Sequence, residues 1–127
     1  MRSWMVDGES CKISREMQAA DLAIAVKLKD QILAADSARV SRIILFGSRA
    51  RGDARPDSDY DLLVIVRDAN RAEVREYHRR LYDVLRGLGV TAEPWVMTEQ
   101  EFEETRSVIG GLAYPASTEG VVLHPNA

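Results

Sequence analysis

Two short apolar runs, Ile43-Ile44-Leu45-Phe46 and Tyr60 to Val66, stand 13 residues apart. Both are rich in β-favouring side chains. The first is apolar at every position, the pattern of a strand covered on both faces. Gly47 stops it. An interval of 13 residues holds one helical turn and a polar loop, but it is short for the crossover helix that joins parallel strands. The spacing predicts a mixed sheet.

Helical periodicity surrounds this pair. Ile13, Met17, Ala20, Ile24, Leu28 and Ile32 recur at helical spacing in a segment without Gly or Pro, which predicts an amphipathic helix from Ile13 to Ala35. After Val66, Asn70 and Glu73 form a capping-box pattern ahead of a stripe of Val74, Tyr77, Leu81, Leu85 and Leu88, closed by Gly87 and Gly89. Val90 to Met97 reads as a third strand, and Pro94, which cannot donate to a ladder, sends it to an edge or a bulge. Thr98 caps a helix whose first turn carries Glu99 and Glu101. A short helical turn follows around Leu112 to Glu119, and Gly120-Val121-Val122-Leu123 is ambiguous. The expected fold is a two-layer α/β domain with a small mixed sheet over residues 13–127, after a loose lead-in at 1–12.

With 127 residues the chain supports one core, and two full domains are excluded. Cys11 stands alone and cannot close an intramolecular disulfide, and the two histidines, His78 and His124, leave no Cys/His set for structural zinc. A reducing, cytoplasmic setting is expected. No stretch approaches the roughly 20 apolar residues of a membrane span, so a membrane partner is not expected. The net charge of −3 is the reverse of the basic footprint of a protein that grips phosphate backbones. Nucleic acid is a poor partner on that ground; a single nucleotide is not.

The segment from Gly47 to Asp61 carries the chemistry. A Gly-Ser pair leaving a buried strand into a helical turn offers backbone N–H groups and a hydroxyl to an anion. By itself the pair is equally a strand exit that needs glycine and a cap. Asp59 and Asp61, two apart at a strand start, would share a face with bases about 6.6 Å apart. Such carboxylates repel unless a cation sits between them, and an oxygen-rich site beside phosphate suits Mg²⁺. A solvated strand end is the plain alternative. Arg49 and Arg51 lie near the anion corner, where they can pair with phosphate or with the interleaved Asp53 and Asp57. His78 sits on a charged helix and reads as a solvated or half-buried helix residue.

Gly47-Ser48, ten residues, then Asp59-Tyr60-Asp61 resembles the signature of the DNA polymerase β-type nucleotidyltransferase superfamily. Within it the chain resembles the minimal, antitoxin-type nucleotidyltransferases. The resemblance implies that Gly47 and Ser48 hold the β- and γ-phosphates of a nucleoside triphosphate, and that Asp59 and Asp61 bind metal. It also implies a third carboxylate on the neighbouring strand, which falls at Glu93. Members usually carry Asp there; Glu is one methylene longer, and Pro94 follows it. The implied catalytic and metal-binding set is Asp59, Asp61 and Glu93, acting through two Mg²⁺ about 3.5 to 4 Å apart. Gly47, Ser48, Arg49 and Arg51 are the implied cofactor-binding residues, and ATP the implied donor.

An α/β core of this length leaves nothing from which to build an acceptor-binding domain. The acceptor site is expected on another chain, in a hetero-oligomer. The resemblance supplies a helical toxin-type partner protein whose Tyr hydroxyl receives AMP. The alternative is a binding module of the same fold that neutralises its partner by occlusion alone.

Overall fold

The computed structural model describes residues 18–125. The lead-in at 1–12, the stripe positions Ile13 and Met17, and Cys11 lie outside them. The first helix, α1, spans Ala19–Asp36 and buries Asp21, Ala25, Leu28 and Ile32. Leu28 and Ile32 are stripe residues as expected. Ala20 is exposed, and the buried place beside it is taken by Asp21. A charge can occupy that position because a cation from a distant segment meets it, as described below.

Strand β1, Val40–Phe46, starts earlier than its apolar run. Ser41 and Arg42 extend it, and the ladder slips by a bulge between Val40 and Arg42. A single helical turn, α2, covers Ser48–Arg51. Strand β2, Tyr60–Val66, then returns antiparallel to β1. The short interval between the two runs thus reverses the chain instead of crossing it over.

Helix α3, Arg71–Leu85, carries the expected capping box between Asn70 and Glu73 and buries Tyr77, Leu81 and Leu85. It ends before Leu88, which is exposed and does not extend the stripe. The helix crosses to β3, Ala92–Thr98, parallel to β2 and on the sheet edge where Pro94 is tolerated. Thr98 accepts a hydrogen bond from the Glu101 N–H at the start of α4, Glu99–Thr105. Helix α5, Ala113–Glu119, precedes β4, Val121–His124, so the ambiguous C-terminal run is a strand, antiparallel to β1. The sheet order is β3-β2-β1-β4.

Alternation along β1 and β2 divides the core. Ile43, Leu45, Leu62 and Val64 face the main helical layer of α1 and α3. Ile44, Phe46, Leu63 and Ile65 face a smaller cover from α4 and α5, which includes Phe102, Ala113 and Ala116. The expected mixed-sheet α/β fold is present, with this smaller cover added on the second face. Truncating a fully buried side chain such as Leu63 to Ala would cost about 2–5 kcal/mol. Small residues let α5 lie close to the sheet: a Cβ on Gly120 would stand 2.3 Å from the Ala116 carbonyl oxygen and 2.4 Å from Ile44 Cγ2. Among the described residues no helix is long and apolar enough to cross a membrane.

Candidate active site

The site forms where β1 ends and β2 begins, because antiparallel pairing sets these two chain positions side by side. Phe46 is in register with Asp61, so Gly47 leaves the ladder next to the Asp61 side chain. Gly47 adopts φ +81°, ψ −161°, a conformation open essentially only to glycine. A Cβ there would stand 2.6 Å from Asp61 Oδ2. The carboxylate therefore rests directly against bare backbone. The Gly47 carbonyl accepts hydrogen bonds from the N–H groups of Ala50 and Arg51, both at 3.1 Å, which starts α2. Buried Ala50 anchors that turn to the core, and left-handed Gly52 ends it. Among the described residues the Ser48 hydroxyl makes no hydrogen bond.

Tyr60 points into the core with its hydroxyl on Asp21 at 2.8 Å. Strand alternation puts Asp61 on the opposite side, and Asp59, one residue ahead of the strand, is near enough for its charge to act on Asp61. Asp59 is exposed and Asp61 half-buried. Burial raises the Asp61 carboxyl above its ordinary pKa; the Trp95 indole N–H works against that rise, the charges of Asp59 and Glu93 add to it, and Arg51 again lowers it. The indole Nε1 is buried but short of good hydrogen-bond geometry, so its help to the carboxylate is electrostatic.

Glu93 is in register with Asp61 on the neighbouring parallel strand, at the position expected for a third carboxylate. Its side chain lies against His78, with Nε2 3.6 Å from Oε2. Among the described residues no group of three His, Cys, Asp or Glu side chains has metal-holding geometry. The fold brings Asp59, Asp61 and Glu93 to one end of the sheet without closing them into a three-ligand cluster. Two carboxylates with an all-oxygen donor set, one of them crowded and partly desolvated against a glycine cradle, still fit a divalent cation that completes its shell with phosphate oxygens.

The two arginines separate. Arg49 is committed to the protein interior: Nη1 donates to Asp21 at 3.1 Å, Nε and Nη2 to the Ser58 carbonyl at 3.3 and 3.0 Å, and Nη2 to the Pro56 carbonyl at 3.2 Å. Its guanidinium also lies over the Tyr60 ring, 4.5 Å from the centroid. These bonds occupy the fork that a phosphate would need. Arg51 is half-exposed and pairs with Asp53 at 3.3 Å and with Glu119 at 3.1 Å. The Glu119 hydrogen bond is the largest of the causes that raise its pKa. Arg51 is thus the arginine whose charge reaches Asp61.

A family model of the nucleotidyltransferase domain matches residues 26–112. The chain belongs to this nucleotidyltransferase family. No curated protein is detectably similar in sequence. Solved structures that share the fold of this nucleotidyltransferase domain include the following. A candidate nucleotidyltransferase from Sulfolobus solfataricus is 21% identical, with 93% of this chain and 89% of that one covered at a TM-score of 0.56. A toxin–antitoxin structure with AMP-PNP is 21% identical, with 77% and 71% covered and a TM-score of 0.51. A mutant MntA–HpeT toxin–antitoxin structure is 19% identical over the same shares, at 0.50.

Three residues around the nucleotidyltransferase site escape sequence reasoning. Asp21 is buried beneath it, Trp95 stands beside Asp61, and Glu119 holds Arg51. The first had a signal, an acid on the apolar side of a helix at spacing 4, 3, 4 with Ala25, Leu28 and Ile32. The other two had none.

Proposed function

We propose that this nucleotidyltransferase transfers AMP from ATP, with Mg²⁺, to a hydroxyl of a partner protein, as the antitoxin of a cytoplasmic toxin–antitoxin pair. The observation that carries the reading is the contact of the Asp61 carboxylate with Gly47, which sets a cation-seeking group against an anion-seeking corner. The fold shared with a toxin–antitoxin structure holding AMP-PNP supports the nucleotide and the type of partner.

Asp59 and Asp61 would hold the cation together with phosphate oxygens, and a second cation would draw on Glu93. The metal would supply charge neutralisation for the leaving pyrophosphate. The backbone at Gly47 and the Ser48 hydroxyl bind the β- and γ-phosphates. Arg51, already beside Asp61, can move from Glu119 to a phosphate oxygen. The acceptor oxygen bonds to the α-phosphorus, the bond from that phosphorus to the bridging oxygen breaks, and pyrophosphate leaves. Glu93, one strand over from Asp61, is the carboxylate placed to receive the acceptor's proton.

One observation favours a second reading, the occluding module: Glu93 lies against His78 outside any three-ligand cluster. Incubation with labelled ATP, Mg²⁺ and the product of the adjacent gene tests the first. Label should pass to the partner protein, and its absence under these conditions would leave the second.

A further inference from the structure

Asp21 is the buried charged residue among those described, 6% exposed in the first turn of α1. It lies far in sequence from the Gly47–Asp61 segment, yet both groups that bond it come from there. Its Oδ1 accepts from the Tyr60 hydroxyl at 2.8 Å and from Arg49 Nη1 at 3.1 Å. Arg49 in turn holds the Ser58 and Pro56 carbonyls and stacks on Tyr60. Ser58 immediately precedes Asp59, and Tyr60 separates Asp59 from Asp61. The network therefore grips the chain on both sides of Asp59, Ser58 by its carbonyl and Tyr60 by its side chain.

A buried ion pair is a poor way to gain stability, since apolar residues of similar volume commonly serve as well or better. What the pair adds is direction. A guanidinium fork fixes two carbonyls at defined angles, which an apolar contact cannot do. Without it, the exposed turn ahead of Asp59 would be held by the bonds between Arg55 and Ser58, Arg55 N–H to Ser58 Oγ at 2.8 Å and Ser58 N–H to the Arg55 carbonyl at 3.0 Å, with Tyr60 N–H on the Thr91 carbonyl at 2.9 Å beyond it.

We infer that Asp21 and Arg49 are positioning residues that hold the Ser58–Tyr60 backbone so that Asp59 and Asp61 face one cation. This rests on the reading of Asp59 and Asp61 as metal ligands. It replaces a phosphate-binding role for Arg49 by a structural one directed at the metal pair.

The test uses Mn²⁺ alone, followed by the enhancement of water-proton relaxation on binding, with no turnover required. Wild type should bind, Asp61→Asn should not, and Asp21→Asn and Arg49→Lys should each weaken binding at least fivefold. Ile32→Val, a core change on the same helix, serves as the control for general loosening and should bind as wild type does. Arg49→Lys keeps the charge opposite Asp21 but loses the fork, so it decides the matter if Asp21→Asn does not fold. Wild-type affinity in folded Asp21→Asn and Arg49→Lys would overturn the inference while leaving the metal reading intact. Equal weakening in Ile32→Val would overturn it too, as mere loosening. Failure of wild type itself to bind Mn²⁺ would overturn the metal reading, and the inference with it.

Discussion

The Asp61 carboxylate occupies the space that a side chain at residue 47 would need, with Oδ2 only 2.6 Å from where a Gly47 Cβ would stand. Gly47→Ala therefore meets two obstacles, this overlap and a φ of +81°. The strain alone is worth about 1–3 kcal/mol. Chemical denaturation should show at least that loss of stability. In an Asp61→Ala background the overlap disappears and the strain stays, so the same substitution should cost less there. Equal costs in the two backgrounds would show that the contact does not govern the site.

Removing the Asp61 charge should stabilise the free protein. Burial and the neighbouring acids raise its folded pKa above the ordinary value, so the ionised form is the disfavoured one in the fold. The sign follows from linkage: wild-type stability should gain as pH falls through the raised folded pKa towards the unfolded value. Asp61→Asn should accordingly have the higher Tm at pH 7, and its advantage should shrink as the medium is acidified through the carboxylate range. A lower Tm for the variant at pH 7 would mean that the carboxylate is a structural acceptor.

Much of this fold is legible in the sequence because its signals are local. Asn70 and Glu73 lie three residues apart and cap α3 as their spacing predicts. Pro94 stands on the edge strand that its missing N–H requires. Gly47 and Asp61 meet because one antiparallel turn of chain joins them. What stays hidden depends on contacts distant in sequence. Asp21 can be buried only because Arg49 and Tyr60 arrive beside it, and Glu119 meets Arg51 only once α5 has packed on the sheet. Glu93 stands beside Asp61 by register, but its long side chain is free to find His78, a choice that strand position does not determine.

Two buried phenols should titrate late. Tyr60 is pushed up to about 12 by burial first and by its bond to Asp21 second, and Tyr77 to about 12 by burial first and by the Asp36 side chain second. Raised values mean that the neutral phenol is favoured in the fold. That stability is complete below the unfolded value of 10.0 and is lost as pH rises towards about 12. Absorbance at the phenolate band should show Tyr60 and Tyr77 ionising well above 10.0, together with a fall in Tm. Tyr60→Phe should remove one late step. Ionisation of every tyrosine near 10 in the folded protein would contradict the buried Asp21 network.

If Asp59 and Asp61 supply two ligands and phosphate oxygens the rest, cation and nucleotide should bind cooperatively. A ligand that binds only the folded state raises its stability by mass action, by about 2.7 kcal/mol at a hundredfold excess over Kd. ATP and Mg²⁺ together should raise Tm more than the sum of their separate effects, and Asp59→Asn should abolish the excess. Additive shifts would argue against a shared site.

Transfer and occlusion differ in stoichiometry. If the chain modifies its partner, a small amount should silence an excess, the effect should outlast removal of the chain, and the partner's mass should rise by one or more AMP units. An occluding module must match its partner one for one and leave its mass unchanged. Ser48→Ala with Asp61→Asn removes the proposed phosphate donor and the proposed metal ligand while leaving the outer surfaces of α1, α3 and the sheet edges as they are. On the enzymatic reading this double variant should lose control of the partner while keeping a wild-type circular dichroism spectrum and a Tm no lower than wild type. Full neutralisation by the folded double variant, with no mass gained by the partner, would reverse the assignment, because only a binding surface would then remain to account for the effect.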